Sequence, residues 1–397
     1  MNSDQIDRVV EQNAVEQPDF IIGVPSLNEG DTITNVVEMM SKGVQTEYPE
    51  RTANIINVDN ASTDDTEEKF LNADTGDHGK KYISTAPGQK GKGRNFYNLF
   101  HEVVETQPDA VAVVDADLTS VELNWPRKML GNVLDGHDLV TPIYKRHQYD
   151  GTITNHLCFP ITYGINGRNI RQPIGGDFAF SADAAENWLN RNWADSTFQY
   201  GVDIFMTTTT LYEGLSICSV RLGRKDHDPS APNLKPMFKE VAHTLFSLLK
   251  TNRDYWTSVE SVRDVDDFGS NEGYETPALE TNLEKLTEDV IQEFDAARDQ
   301  IRTFLPDDLY GTVENMIDGR DMNLDAERWS QVLFSAIASF IDSPDQDIIE
   351  GMLPLYMFRN ASFQTHTADL SPDECQERIR EQADLFFENR SSLIDRI

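Results

Sequence analysis

Two aspartates, Asp115 and Asp117, close the most apolar run of the chain, AVAVVDAD (110–117). Carboxylates at i and i+2 of a strand point to the same side. At the carboxyl end of a strand in an open α/β sheet, that side is where ligands bind. A hard cation such as Mg²⁺ takes one or two carboxylates from protein and completes its shell with substrate phosphates and water. The pair therefore suits a divalent ion bound together with a phosphorylated ligand. An acidic chain also yields D-x-D by chance in solvated turns. Here the apolar strand before the pair and the Thr-Ser helix start after it favour the metal.

Other stretches offer complementary chemistry. PSLNEGD (25–31) follows an apolar run, and its backbone with the side chains of Asn28 and Glu29 could hold a base or ribose, or simply cap a helix. Asp59 ends the next apolar run, where an acid can accept hydrogen bonds from a nucleobase N–H or a ribose hydroxyl, or cap. GQKGKGRN (88–95) places glycine N–H groups and two lysines before a helix start, a possible diphosphate cradle. It lacks the glycine spacing and terminal Ser/Thr of a Walker A loop. His227, in RLGRKDHD after another apolar run, sits among acids and could ligate a metal, although a lone histidine is more often structural.

The elements that position these residues alternate. FIIGV (20–24), NIINV (54–58), KYIST (81–85), AVAVVDAD (110–117) and DLVTPIYKR (138–146) read as strands, with helical patterns between them such as Ile33, Val36, Val37 and Met40 on one face and a helix over 95–106. Such alternation predicts an α/β fold with a doubly wound, mostly parallel sheet. The first 18 residues are polar and read as a frayed tail. Phe238–Lys250 is an amphipathic helix, 255–277 an acidic linker, and 278–397 an all-α domain with Leu283, Leu286, Val290, Ile291 and Phe294 as one stripe. The α/β domain would then span 19–254.

The chain has 397 residues, 68 acids against 34 Lys and Arg, and a net charge of −34. That balance argues against nucleic acid or an anionic membrane as partner, since phosphate contacts need a basic face. Acids spread along the whole chain imply a salt-adapted host. The Debye length is about 8 Å at roughly 0.15 M salt and about 3 Å at 1 M, so self-repulsion fades in brine. Three scattered cysteines fit a reducing cytosol, and no signal peptide or membrane-length apolar run is visible. A soluble, cytoplasmic homodimer is expected.

Taken together, PSLNE, VDNAS, GKG, DAD, QPIGGD, YGVD and the late DHD resemble the retaining GT-A glycosyltransferases that make sugar–glycerate compatible solutes: mannosylglycerate synthase, glucosylglycerate synthase and glucosyl-3-phosphoglycerate synthase. The resemblance covers roughly residues 19–250. It implies a nucleotide-sugar donor (an ADP-, UDP- or GDP-hexose), a small glycerate-type acceptor and Mg²⁺ or Mn²⁺. By position it implies Asp117 and His227 as metal ligands and Asp115 with Ala116 beside the donor ribose. Pro25, Leu27, Glu29 and Asp59 would surround the base, and Lys92 would meet the diphosphate or ribose. Arg146 and Thr154 would hold the acceptor, Gln172–Asp177, with Ile174, Gly175 and Gly176 among them, would wall sugar from acceptor, and Asp203 would lie near the transferred sugar.

One departure bears on the acceptor. Phosphoglycerate-accepting relatives carry Arg in a G-R-V-T stretch, whereas this chain has Gly151-Thr152-Ile153-Thr154. Threonine cannot replace a bidentate Arg–phosphate pair, so free D-glycerate is the expected acceptor, with glucose favoured over mannose. 3-Phosphoglycerate or another small acceptor is the alternative, and a catalytically silent nucleotide-sugar binder a more distant one.

Overall fold

The computed structural model describes residues 6–226 and 233–397. In chain order the strands are β1 (Ile6–Gln12), β2 (Phe20–Ser26), β3 (Ala53–Asp59), β4 (Gly79–Thr85), β5 (Ala110–Val113), β6 (Leu139–Lys145), β7 (Arg168–Asn169), β8 (Phe178–Phe180), β9 (Ile217–Arg224), β10 (Arg263–Asp264) and β11 (Asp266–Phe268). Contacts divide the chain into two compact units. The first comprises 1–145, 174–231 and 265–275; the second comprises 146–173, 232–264 and 276–397. The division therefore does not follow the expected cut near residue 254, because 146–173 and 232–264 pack with the helical unit.

The first unit is built on a nine-stranded sheet of order β1-β4-β3-β2-β5-β8-β6-β9-β11. β4, β3, β2 and β5 run parallel, and β2 and β3 are buried along their whole length. That burial is why they read as unbroken apolar runs. Alternate residues serve opposite faces. Ile22 and Val24 join Ile55, Ala112, Met40, Trp125 and Met129 in one core. Between them, Gly23 receives the helix Lys92–Thr106: a Cβ there would lie 2.4 Å from Leu99. This close approach sets the helix, and Lys92 at its start, against the sheet.

Three expectations are corrected. The polar tail is an edge strand, since β1 pairs antiparallel with β4, Val9 opposite Ile83. An edge strand supplies hydrogen bonds while burying little, so Val10 packing on the core was too weak a sign to read. The acidic linker contains β11, parallel to β9, with Arg221 bidentate to Asp267 at 3.1 and 2.7 Å; charge suits an exposed sheet edge. The fourth strand stops at Val113, so Asp115 and Asp117 lie just past it, Asp117 in a turn.

The second unit is helical, with the short parallel pair β7 and β10. Its long helix Gln346–Thr367 is buried over most of its length despite an internal Pro354. Tyr356 on it stacks on Phe238 at 4.3 Å, from the helix Leu234–Thr251. Of the stripe foreseen on the helix Leu283–Ala296, Val290 and Phe294 are buried. No described helix is long and apolar enough to cross a membrane.

Candidate active site

The loops that end β2 and β3 brace one another. Asn28, with φ of 60°, donates its N–H to Ser62 Oγ (2.7 Å) and accepts from Thr63 N–H (2.9 Å). Glu29 N–H donates to Thr66 Oγ1 at 2.8 Å. Asp59 is wholly enclosed at 0% exposure. Its two oxygens accept from Ser26 Oγ (2.8 Å), Ser62 Oγ (2.5 Å), Ser62 N–H (2.7 Å) and Tyr82 OH (3.1 Å). Of the residues expected around a base, Asp59 thus acts as the brace of both loops. Pro25 is buried in β2, Glu29 is half-buried and Leu27 is exposed.

Several amides of the Gly/Lys loop are engaged within the protein. Gly91 N–H donates to Asn60 Oδ1 (3.0 Å), Gly93 N–H to Gln199 O (2.9 Å) and Arg94 N–H to Phe198 O (3.1 Å). A Cβ on Gly93 would meet Thr197 O at 1.9 Å, so only glycine permits this docking. Two of the three glycine N–H groups expected as a cradle are thus engaged in a joint between two chain segments. Its consequence is functional, because the segment 197–199 leads into the helix Val202–Tyr212 and brings Asp203 to Lys92.

There the side chains meet. Lys92 Nζ lies 3.0 Å from Asp115 Oδ1 and 3.5 Å from Asp203 Oδ2. Lys225 Nζ lies 3.2 Å from Asp115 Oδ2, 2.7 Å from Asp177 Oδ2 and 3.0 Å from the Gly175 carbonyl. Asp177 also accepts from Asp115 N–H (2.8 Å) and Tyr144 OH (2.6 Å). Burial works against the charge of Lys92, but Asp115 and Asp203 outweigh it and raise its pKa. Burial likewise opposes ionisation of Asp115, yet Lys92 and Lys225 hold its pKa below the ordinary carboxylate range. For Asp203 burial wins and the pKa is raised, despite Lys92.

Lys225 is the residue of this cluster that motif reading does not single out, and Asp177, expected as the end of the wall that starts at Gln172, is its ion-pair partner. Gly176 makes their approach possible: at φ of 93° it has no side chain where a Cβ would stand 2.4 Å from Asp115 Oδ2 and 2.8 Å from Lys225 Nζ. Ala116 is buried between the two aspartates, and Ile174 and Gly175 lead into this turn.

Among the described residues no group of three or more His, Cys, Asp or Glu is placed to hold a metal ion. Both oxygens of Asp115 are engaged by ammonium groups. Asp117, two residues on, is half-buried in the turn. One carboxylate is compatible with an ion that takes its remaining oxygens from a diphosphate. His227 lies outside the described residues. Asp226, just before it, is tied to the segment after Asp117, by Thr119 N–H to Asp226 O (3.1 Å) and Asp226 N–H to Ser120 Oγ (2.9 Å).

Arg146 and Thr154 belong to the second unit. Arg146 Nη1 pairs with Asp150 Oδ2 at 3.2 Å, and Gly151 lies beside both Arg146 and Thr154. Thr152 is hydrogen-bonded to Tyr356 OH in the helical core. Arg171, also absent from the sequence reading, has neutral partners: Nη2 donates to Asn155 Oδ1 (2.8 Å), and Nε and Nη2 both donate to Gln376 Oε1 (3.2 and 2.7 Å). Burial, and then the charge of Arg146, push its pKa down to about 10.

Comparisons with known proteins bear on this arrangement. The chain is similar to crystal structures of glucosyl-3-phosphoglycerate synthase from Mycobacterium tuberculosis. The complex with phosphoglyceric acid is 24% identical, covers 58% of this chain and 80% of that chain, and superposes with a TM-score of 0.46. The complex with Mn²⁺, uridine diphosphate and glucosyl-3-phosphoglycerate gives the same identity and coverage and a TM-score of 0.47. The comparison with curated proteins gives no match. Residues 21–186, which include Lys92, Asp115 and Asp177, match the model of glycosyl transferase family 2. Over that segment, which is less than half of the chain, the protein is similar to glycosyl transferase family 2.

Proposed function

We propose that the enzyme moves a hexose, glucose in preference to mannose, from a nucleotide diphosphate sugar to the 2-hydroxyl of D-glycerate, with retention of configuration. The observation that carries the reading is the wedge of Lys92 between Asp115 and Asp203, at 3.0 and 3.5 Å. Breaking the sugar–phosphate bond builds negative charge on the departing diphosphate. A fixed ammonium in a site shielded from water stabilises such charge far better than solvent does. Asp203, beside Lys92, is placed to orient a sugar hydroxyl.

A divalent ion on Asp117 and His227 would supply Lewis-acid stabilisation of the same charge. The hydrogen bonds between Asp226 and residues 119 and 120 support pairing these two residues. For the acceptor, Arg146 would hold the carboxylate and Thr154 the hydroxyl side. In a retaining transfer without an enzymatic nucleophile, the acceptor attacks from the leaving-group face and its proton passes to the departing phosphate.

A second reading has a specific observation behind it. Arg171 lies within electrostatic reach of Arg146 and has no carboxylate partner among the described residues. A second cation would suit 3-phosphoglycerate, with Arg171 standing in for the arginine missing at 152.

Both readings are tested by assaying D-glycerate and 3-phosphoglycerate side by side with ADP-, UDP- and GDP-linked glucose and mannose, in Mg²⁺ and in Mn²⁺. Turnover of D-glycerate, with Arg146→Ala raising its KM and Arg171→Gln leaving it unchanged, supports the first. A preference for 3-phosphoglycerate that Arg171→Gln abolishes supports the second. Nucleotide-sugar binding with no turnover on either acceptor would point instead to another acceptor or a silent binder. Asp117→Ala is expected to abolish metal-dependent turnover while the circular dichroism spectrum stays unchanged.

A further inference from the structure

Lys225 is a buried ammonium with no part in the transfer as described so far. Its side chain is 5% exposed and is held on three sides by Asp115, Asp177 and the Gly175 carbonyl, above the Tyr144 ring at 5.3 Å. A buried lysine in such a frame cannot swing away without leaving Asp177, itself 0% exposed, short of a partner. Gly176 has no side chain to keep Lys225 from Asp115. The result is that the first acid of the Asp115-Ala116-Asp117 sequence has an ammonium on each oxygen.

We propose that Lys225 keeps Asp115 out of the ligand set of the divalent cation, so that tight cation binding waits for the nucleotide diphosphate. Oxygen-ligated divalent ions gain affinity with each carboxylate in the set. Two free aspartates two residues apart would hold Mg²⁺ or Mn²⁺ in the absence of any nucleotide. With Asp115 neutralised by Lys225 and Lys92, the protein offers Asp117 as its carboxylate, and the diphosphate must supply further oxygens. Metal and donor then arrive as one unit, and Asp115 remains available to the donor. This rests on the reading of Asp117 as metal ligand.

The test is Mn²⁺ binding to the intact protein, followed by the electron paramagnetic resonance signal of free Mn²⁺, alone and with UDP, ADP or GDP. Wild type is expected to bind Mn²⁺ weakly alone and at least about tenfold more tightly with one of the nucleotides. Lys225→Met, which keeps the volume and removes the charge, is expected to tighten nucleotide-free binding by about tenfold or more. Lys225→Arg should behave as wild type. A gain of affinity is not a result that structural damage produces.

Because Lys225→Met leaves two carboxylates short of a partner and could fail to fold, Asp115→Asn in the wild-type background is the second arm. It should leave nucleotide-free Mn²⁺ affinity unchanged, since Asp115 is not a ligand. If Lys225→Met folds and binds Mn²⁺ no better than wild type, or if Asp115→Asn weakens binding tenfold, the proposal about Lys225 is overturned while the metal site stands. If no nucleotide supports Mn²⁺ binding in wild type, the metal reading itself falls and takes the proposal with it.

Discussion

The Lys92 ammonium meets the Asp203 carboxylate at 3.5 Å, and each residue stands in the first turn of its own helix. An acid is favoured in a first turn by the helix dipole and a lysine is not. Lys92 is held there by the carboxylates around it, which raise its pKa against the cost of burial. Asp203 Oδ1 has no hydrogen-bond partner among the described residues, so the pair has acceptor capacity left for a ligand hydroxyl.

Lys92→Met should lower kcat by about 10²–10³, the usual cost of removing one fixed stabiliser of transition-state charge, about 2.7–4 kcal/mol. It should also lower Tm, because breaking a buried pair by deleting one partner leaves an uncompensated charge. Lys92→Arg should recover most of the stability. Steady-state kinetics and calorimetric melting on both variants check this, and an unchanged kcat for Lys92→Met would remove Lys92 from the mechanism.

Gly176→Ala separates backbone strain from crowding of the charges. Its Cβ would stand 2.4 Å from Asp115 Oδ2 at a φ of 93°. Gly136 has a similar φ of 99° with nothing within 4 Å of its Cβ position. Both alanines carry the left-handed strain, of order 1–3 kcal/mol. Only Gly176→Ala should lower kcat/KM, by about tenfold or more; equal activities would mean the charged cluster tolerates displacement.

His156 should make stability depend on pH on the acid side. Burial, and then the Arg359 charge, push its pKa well below 6.5, and its ring lies edge-on to Phe363 at 5.0 Å. The native imidazole stays neutral while the unfolded one protonates below about pH 6.5, so the unfolded state binds more protons. This contribution is present above the unfolded pKa and is lost as pH falls through it, at up to about 1.4 kcal/mol per pH unit. His156→Phe should flatten the change in urea midpoint between about pH 7 and about pH 5. A slope identical to wild type would show that His156 is protonated in the fold.

Salt should stabilise the whole chain. A net charge of −34 repels itself at a Debye length of about 8 Å and much less at about 3 Å. The melting temperature is expected to rise between low salt and about 1 M KCl, and sodium sulfate adds exclusion effects that KCl avoids. A Tm that falls over that range would contradict a salt-adapted surface.

Several parts of the molecule were legible because they are local. β2 and β3 are unbroken apolar runs, buried along their whole length, and nothing beyond the run itself is needed to read them. The Asp115-Ala116-Asp117 sequence after an apolar strand marks a ligand end of the sheet by the same local logic. β1 was missed because an edge strand needs hydrogen bonds more than burial. Lys225 was missed because its partner Asp115 is 110 residues away.

The amino-acid order by itself determined which segments are buried and which carry ionisable groups, since periodicity and composition act between neighbours. Only the tertiary structure decided which charges face one another. Strand β8 inserts antiparallel between β5 and β6, pairing Phe178 with Val113 and so setting Asp177 beside Asp115. That pairing is a property of sheet order, and the low-dielectric surroundings it creates are what turn scattered aspartates and lysines into a site.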